Sequence, residues 1–376
     1  MNQRFNMAEL RRITLVRHDS VRAQSSRERR GSRGFFSVRG TLVMLGLGAL
    51  SALALPAVAQ TPQQIQAALD SALGKFKDVK QGANADYIPA LAKVDPNIFG
   101  IALVTPDGKV YTAGDVKSQV SIQSISKVFT MARVIEEQGP EAIVQRIGVD
   151  ATGMRFNSIV SVEFAQKALG GPEINPLVNP GAITATSMVS GANRDEVWKH
   201  ILDFHSDFAG RPLTVDKEVF DSEAATNQRN QAIGALMYAY GFIKDNPARA
   251  TDIYTEQCAI SVNARDLAVM AGTLANSGKN PVTGKQVLKA NYVPGVLAVM
   301  ATAGLYDDSG KWLYRTGLPA KSGVGGGIIA VSPGKFGIAV ISPPLDAAGN
   351  SVKAQLAIEA VSNALGGNPY APVVKR

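Results

Sequence analysis

The chain predicts an α/β fold of the α+β kind, an antiparallel sheet flanked by helices and joined to an all-helical lobe. Three observations predict it. Apolar runs of strand character stand near both ends, at residues 99–105, 325–332 and 336–342. Between them the apolar positions recur at helical spacing, interrupted by Gly and Pro clusters. A last helical stretch, residues 351–365, follows the final strands. A sheet closed by the two ends of the chain, with the helical block as a second lobe, satisfies all three, and the cleft between lobes is the default place for a site.

Taken in order, residues 1–40 hold ten arginines against three acids, and an uncharged run from Thr41 ends on Ala57-Val58-Ala59. A basic region, an apolar region and a small-residue close are the parts of a secretory signal peptide, so residues 1–59 are expected to be a leader removed after Ala59. An uncleaved anchor is the alternative, but Gly46, Gly48 and Pro56 interrupt a run barely long enough to span a bilayer. Met7 offers a later start, and Arg29-Arg30 is a poor twin-arginine match. The expected location is periplasmic or secreted. The leader holds almost all of the net charge of +8: outside it, 29 basic residues face 28 acidic ones. That balance, with no nucleic-acid motif, argues against a nucleic-acid partner and against stable membrane association once the leader is gone. The one cysteine, Cys258, rules out an intrachain disulfide framework and reads as a small buried residue.

Residues 60–83 are expected to form an N-terminal arm helix, starting on Thr61-Pro62. Residues 84–376 form the main domain, with a sheet lobe at about 84–123 and 302–376 and a helical lobe at about 124–301. Pro106-Asp107-Gly108 between apolar runs predicts a β-hairpin. Helices are expected over 126–138, 161–169, 183–189, 195–205, 223–240, 247–255, 264–276 and 295–301.

Chemistry centres on V-S-I-Q-S-I-S-K-V-F-T-M-A, residues 120–132. A helix beginning near Ser124 sets the Lys127 amine on the face of the Ser124 hydroxyl, since i and i+3 are neighbours. A lysine desolvated beside Val128 and Phe129 has a lowered pKa and can take the serine proton. By itself the S-x-x-K spacing reads first as an N-cap serine backed by a solvated lysine, because roughly one such match arises by chance in a chain of this composition. A second match, Ser332-Pro333-Gly334-Lys335, falls on a hairpin turn and is discarded. Outside the leader only His200 and His205 remain, five apart on different helical faces, so a Ser-His-Asp triad and a zinc site both lack support. No metal or other cofactor is expected.

The second stretch is G-L-P-A-K-S-G-V-G-G-G-I, residues 317–328, where Lys321-Ser322-Gly323 precedes a predicted strand. There a lysine and a hydroxyl would offer positive potential and a hydrogen bond, and glycines would let a substrate approach backbone amides. Alone it is as well read as a flexible strand entry. S-x-x-K on a helix and K-S-G on a strand about two hundred residues later together match the signature of serine β-lactamases and penicillin-binding proteins.

The surrounding words choose among the activities sharing that signature. R-F-N-S-I-V at 155–160, N-P-L-V-N-P-G-A-I at 175–183, S-E with R-N within 222–230, M-A-T-A-G-L-Y at 300–306 and L-P-A-K-S-G-V-G-G-G-I closely resemble the serine-dependent glutaminases, from about residue 87 to 365. Pro180 departs from the alanine usual there. The resemblance implies a β-lactamase/transpeptidase-like fold, hydrolysis of L-glutamine to glutamate and ammonia, and a homo-oligomer, dimer or tetramer. It implies Ser124 as the nucleophile, Lys127 as its proton acceptor, the amides of Ser124 and Val324 as oxyanion hole, and Tyr306 as proton carrier to ammonia. Asn179, Glu223, Asn230, Tyr254, Tyr306 and Tyr87 would hold the amino acid, Glu223 against the α-ammonium and the amides and hydroxyls against the α-carboxylate. A penicillin-reactive acyl-transferase is the alternative enzyme, though no clear S-D-N triplet stands in the helical block. A binding protein that kept the pocket and lost the chemistry is the third reading.

Overall fold

A computed structural model describes residues 60–171 and 174–371, apart from the side chains of residues 168 and 169. The leader expected at 1–59 lies outside the described residues. The main sheet is antiparallel with strand order β2-β1-β8-β7-β6, where β1 is Gly100–Val104, β2 is Val110–Gly114, β6 is Ala320–Gly323, β7 is Gly327–Ser332 and β8 is Phe336–Ile341. The first and last parts of the described chain therefore close one sheet, β1 pairing with β8 from Gly100 opposite Ile341 to Val104 opposite Gly337. Three further strands, β3 (Val120–Ser121), β4 (Thr214–Val215) and β5 (Ile260–Val262), make a small sheet of order β3-β5-β4. Strands of two and three residues are too short to show a period of two, which is why the sequence does not announce them.

Alternation along each strand divides the core in two. Ile101, Leu103, Ile328, Ile338 and Val340 face the helices Pro62–Phe76 and Val352–Ala364. Ala102, Val104, Ile329, Val331, Ala339 and Ile341 face the helical block. Because both faces are covered, β7 and β8 are buried at every position and read as unbroken apolar runs.

The helix Pro62–Phe76 starts on Thr61-Pro62 as expected, with Thr61 and Gln64 closing a capping box. Its Leu69 and Ala72 are buried with Ala354, Ile358 and Val361 over the sheet. Helix Ala264–Ala275, assigned from its position in the chain to the helical lobe, lies instead flat against β1, β7 and β8. Its approach is so close that a Cβ on Gly337 would sit 2.1 Å from the Gly272 nitrogen. Gly337→Ala is therefore expected to cost about 3 kcal/mol or more by forcing backbone from backbone. Gly74→Ala, in the open interior of a helix with nothing within 4 Å, is expected to be neutral or stabilising. Urea midpoints of the two variants check both signs.

The helix expected over 223–240 is two helices, Lys217–Ala224 and Gln228–Ala239. Asn227 lies in the break, where its side-chain amide donates to Thr255 Oγ1 at 2.9 Å inside the core. That tertiary bond outweighs a local helical pattern. Helices Glu141–Arg146 and Ser309–Thr316 were not foreseen, and the K-S-G segment is itself the edge strand β6 rather than its approach.

Candidate active site

The chain leaves β3 through a 3₁₀ turn, Gln123–Ile125, which runs straight into helix Ser126–Gln138. Ser124 thus sits on the turn rather than on the helix itself, yet the one-turn relation to Lys127 survives. Their Oγ and Nζ atoms are 2.8 Å apart. Gln123, next to the serine, has φ +50°, a left-handed conformation that costs a non-glycine residue of order 1 kcal/mol. Its side chain holds it there, donating to Ser121 Oγ at 3.2 Å and to Glu223 Oε2 at 3.1 Å. Tyr306 is a second left-handed residue, with φ +58°.

Lys127 is 1% exposed, and the rings of Tyr306, Tyr254 and Phe156 stand 5.7, 5.8 and 5.9 Å from its nitrogen. Burial without a carboxylate partner pulls its pKa down to about 8. A second acceptor, Asn179 Oδ1 at 2.7 Å, fixes the amine in direction. Asn179 also accepts from the Tyr254 hydroxyl at 3.1 Å and donates through Nδ2 to Asn230 Oδ1 at 2.8 Å. Ser124, Lys127, Asn179, Tyr254 and Asn230 are therefore one hydrogen-bonded chain drawn from the 3₁₀ turn and four helices. Position matters here: Asn179 is the first residue of helix Asn179–Met188, behind an extended Val178, so its side chain points out of the helix start.

Glu223, the penultimate residue of helix Lys217–Ala224, is buried, and desolvation pushes its carboxyl up to about 7. The Gln123 amide and the positive charge of Lys127 oppose that rise. Burial likewise takes the Tyr306 hydroxyl up to about 12.

A cavity of about 290 Å³ is lined by Tyr87, Ser124, Asn179, Glu223, Asn230, Tyr254 and Val324, every one of them singled out from the sequence. Lys127 and Tyr306 lie buried behind it rather than on its wall. Tyr87 is half exposed and forms the rim. Val324 arrives by close glycine packing: a Cβ on Gly323 would lie 2.7 Å from the Ile122 carbonyl oxygen, and one on Gly325 would lie 2.3 Å from that of Ser121. The β6–β7 turn is thereby laid on the nucleophile turn, and among the described residues neither the Ser124 nor the Val324 amide donates to a protein acceptor.

Lys321 corrects an expectation. Fully buried, it donates to the Ser322 carbonyl at 2.7 Å and stands 4.0 Å over the Tyr306 ring. Burial, with Lys127 nearby, holds it well below the usual lysine range, so it supports Tyr306 more than it supplies positive potential. His205 is a core residue bonded to the Ile201 and Ser126 carbonyls, and burial pulls it down to about 4. Cys258 is buried and unpaired. Among the described residues no group of three His, Cys, Asp or Glu side chains converges as a metal site.

Sequence reasoning missed Gln123, Phe156, Asn157, Asn227 and Arg229 on the cavity wall. Phe156 and Asn157 stood in the R-F-N stretch without a role. Nothing local marks Gln123, whose task depends on a carboxylate a hundred residues away.

The sheet closed by the first and last strands of the described chain, the helical block beside it and the serine–lysine pair where the two meet define the β-lactamase-like class of enzymes. The chain belongs to the glutaminase family, whose family model matches residues 82–370. It is 51% identical over 315 residues to a glutaminase of Colwellia psychrerythraea, covering 83% of this chain and all of that one. It is 48% identical to a Brucella canis glutaminase, covering 81% and 95% of the two chains. The solved structure of the probable glutaminase ybaS superimposes with TM-score 0.81 at 44% identity over 83% of this chain and 100% of that chain. The crystal structure of Mglu in its glutamate form follows with TM-score 0.78 at 35% identity, over 83% and 70% of the two chains.

Proposed function

We propose that the enzyme hydrolyses L-glutamine to glutamate and ammonia through a glutamyl ester on Ser124, with Lys127 in its neutral form as the base. One observation carries this reading: a serine oxygen with a buried amine 2.8 Å behind it opens onto the same small cavity as a set of groups able to grip an amino acid. The Glu223 carboxylate suits the α-ammonium, and the Asn230 amide and Tyr254 hydroxyl suit the α-carboxylate. That arrangement leaves the side-chain amide of glutamine facing Ser124. Lys127 takes the hydroxyl proton as Oγ adds to the amide carbon, and the Ser124 and Val324 amides bind the oxyanion. Collapse expels ammonia, its proton delivered from Lys127 through Tyr306. Water then repeats the attack on the ester. That the similar Mglu has been crystallised in a glutamate form supports an amino-acid ligand in this cavity.

The leader pattern supports export to the periplasm or beyond, and a homo-oligomer is the expected assembly. The test is covalent. A glutamine analogue with an electrophilic ketone in place of the amide should add its mass once per chain, on the peptide carrying Ser124, and excess glutamate should slow the labelling. Labelling elsewhere, or protection by penicillin and not by glutamate, would remove this reading.

A further inference from the structure

Gln123, immediately before the nucleophile, is buried and stands in the left-handed region at φ +50°. A side chain with a Cβ crowds the backbone in that region, so the conformation persists only where its surroundings hold it. The Gln123 carbonyl accepts from Ser126 Oγ at 2.7 Å, a bond that any residue there would make. What is particular to glutamine is the side chain. Its amide nitrogen gives one N–H to Ser121 Oγ at 3.2 Å, two residues back in β3, and the other to Glu223 Oε2 at 3.1 Å in helix Lys217–Ala224. Both hydrogens of the amide are thereby used. Among the described residues no other side chain donates to the Glu223 carboxylate.

That carboxylate is also the group assigned to the substrate's α-ammonium, and Glu223, Gln123 and Ser124 line one cavity. Burial favours the protonated form of Glu223, and an ammonium beside it favours the ionised one. A hydrogen bond to an ionised carboxylate is roughly twice as strong as one to a neutral acceptor. An ammonium in the cavity therefore tightens the grip on the Gln123 amide. The residue so gripped is bonded directly to Ser124, whose Oγ and backbone amide are the two groups aimed at the substrate's amide carbon and oxygen. On its other side the turn is pressed against β6, where a Cβ on Gly323 would lie 2.7 Å from the Ile122 carbonyl oxygen and 3.4 Å from Gln123 Cβ. A relaxation of Gln123 out of the left-handed region consequently moves the serine and not the strand.

We propose that Gln123 is a positioning residue that couples recognition of the α-ammonium at Glu223 to the alignment of Ser124, a coupling that rests on the proposed glutamyl-Ser124 ester and on Glu223 as the ammonium's partner. The amino group is then read in turnover as well as in binding. A compound with the carboxylate and the amide but no ammonium leaves Glu223 protonated and Gln123 loosely held, so the strained turn relaxes and the serine drifts from the reacting carbon. Discrimination against such a compound appears in kcat, whereas a binding contact at Glu223 alone would appear in KM with kcat unchanged.

The test compares glutamine with glutaramate, which is glutamine without its α-amino group, in the parent, in Gln123→Gly and in Gln123→Met, with kcat and KM measured separately. In the parent, kcat for glutaramate should lie about tenfold or more below that for glutamine. Gln123→Gly removes the tether and the strain together: its two kcat values should converge to within about threefold, while the KM ratio, set by Glu223 itself, stays within about twofold of the parent's. Gln123→Met fills the same space without a donor and keeps the strain, so its kcat for glutamine should fall about tenfold below that of the glycine variant. A methionine variant more active than the glycine one would show that Gln123 only fills space, and would overturn the coupling. Equal kcat for the two amides in the parent, a result that needs no variant, would overturn it too, as would a kcat ratio unchanged in Gln123→Gly. Labelling of the parent by the electrophilic ketone is run alongside. A parent not labelled on Ser124 would remove the ester and this proposal with it, whereas a labelled parent without the kcat pattern would remove the coupling alone.

Discussion

Replacing Ser124 with alanine is expected to lower kcat for glutamine by on the order of 10⁵-fold, because it removes the attacking atom of the proposed acyl-enzyme mechanism. Binding survives. The groups that would grip the amino acid, Glu223, Asn230 and Tyr254, keep their own partners in the variant, and the Lys127 amine still donates to Asn179 Oδ1. Isothermal titration should therefore give a glutamine Kd within a fewfold of the parent's KM, with ammonia release near the background rate. The variant should also resist the electrophilic analogue. Ammonia release within tenfold of the parent would show that water, activated by Lys127, attacks directly and that the serine merely orients the lysine. The split between binding and turnover is what makes the result diagnostic, because a misfolded variant would lose both.

That such a variant can be chosen from sequence reflects how local the chemistry is at this one point. Ser124 and Lys127 are three residues apart, so their meeting needs only one turn, and the structure puts Ser124 on a 3₁₀ turn and Lys127 in the α-helix that follows without separating them. The hairpin at Pro106-Asp107-Gly108 and the buried strands were legible for the same reason: turn chemistry and unbroken apolar runs are encoded within ten residues. The gathering of Asn179, Glu223, Asn230, Tyr254 and Tyr306 is not local in that sense. It was reached through resemblance, because no period or spacing connects an asparagine at a helix start to a lysine 52 residues earlier. What stayed hidden depends on partners distant in the chain. The break at Asn227 answers to Thr255, the left-handed Gln123 to Glu223, and the small sheet to a meeting of residues near 120, 214 and 260. Lys321 misled in the opposite direction. Its motif suggests positive potential offered to a substrate, and only burial against the Tyr306 ring reverses that reading.

Lys127→Met separates activity from stability. Methionine has nearly the length of lysine and fills the space between the Tyr254, Tyr306 and Phe156 rings without a charge. The proposed base is lost, so kcat should fall by about 10³- to 10⁴-fold. In the parent, kcat should rise with pH as the amine loses its proton near 8, and kcat/KM should show an additional rise as Glu223, pushed up to about 7, ionises to meet the substrate's ammonium. The residual activity of the variant should keep the Glu223 limb and lose the other. For stability the sign runs the other way. A lysine whose folded pKa lies below its unfolded value is a cost that is fully present below about 8, where the fold must bury the charge, and that fades as pH climbs toward the ordinary value of 10.5. The difference corresponds to about 3 kcal/mol against the folded state at neutral pH. Removing the amine should accordingly raise the urea midpoint at pH 7 and give a smaller gain at pH 10, part of the benefit being offset by the hydrogen bond that Asn179 loses. A variant that is inactive and less stable at both pH values would mean that the amine holds the fold together, and the burial cost assigned to Lys127 would be wrong.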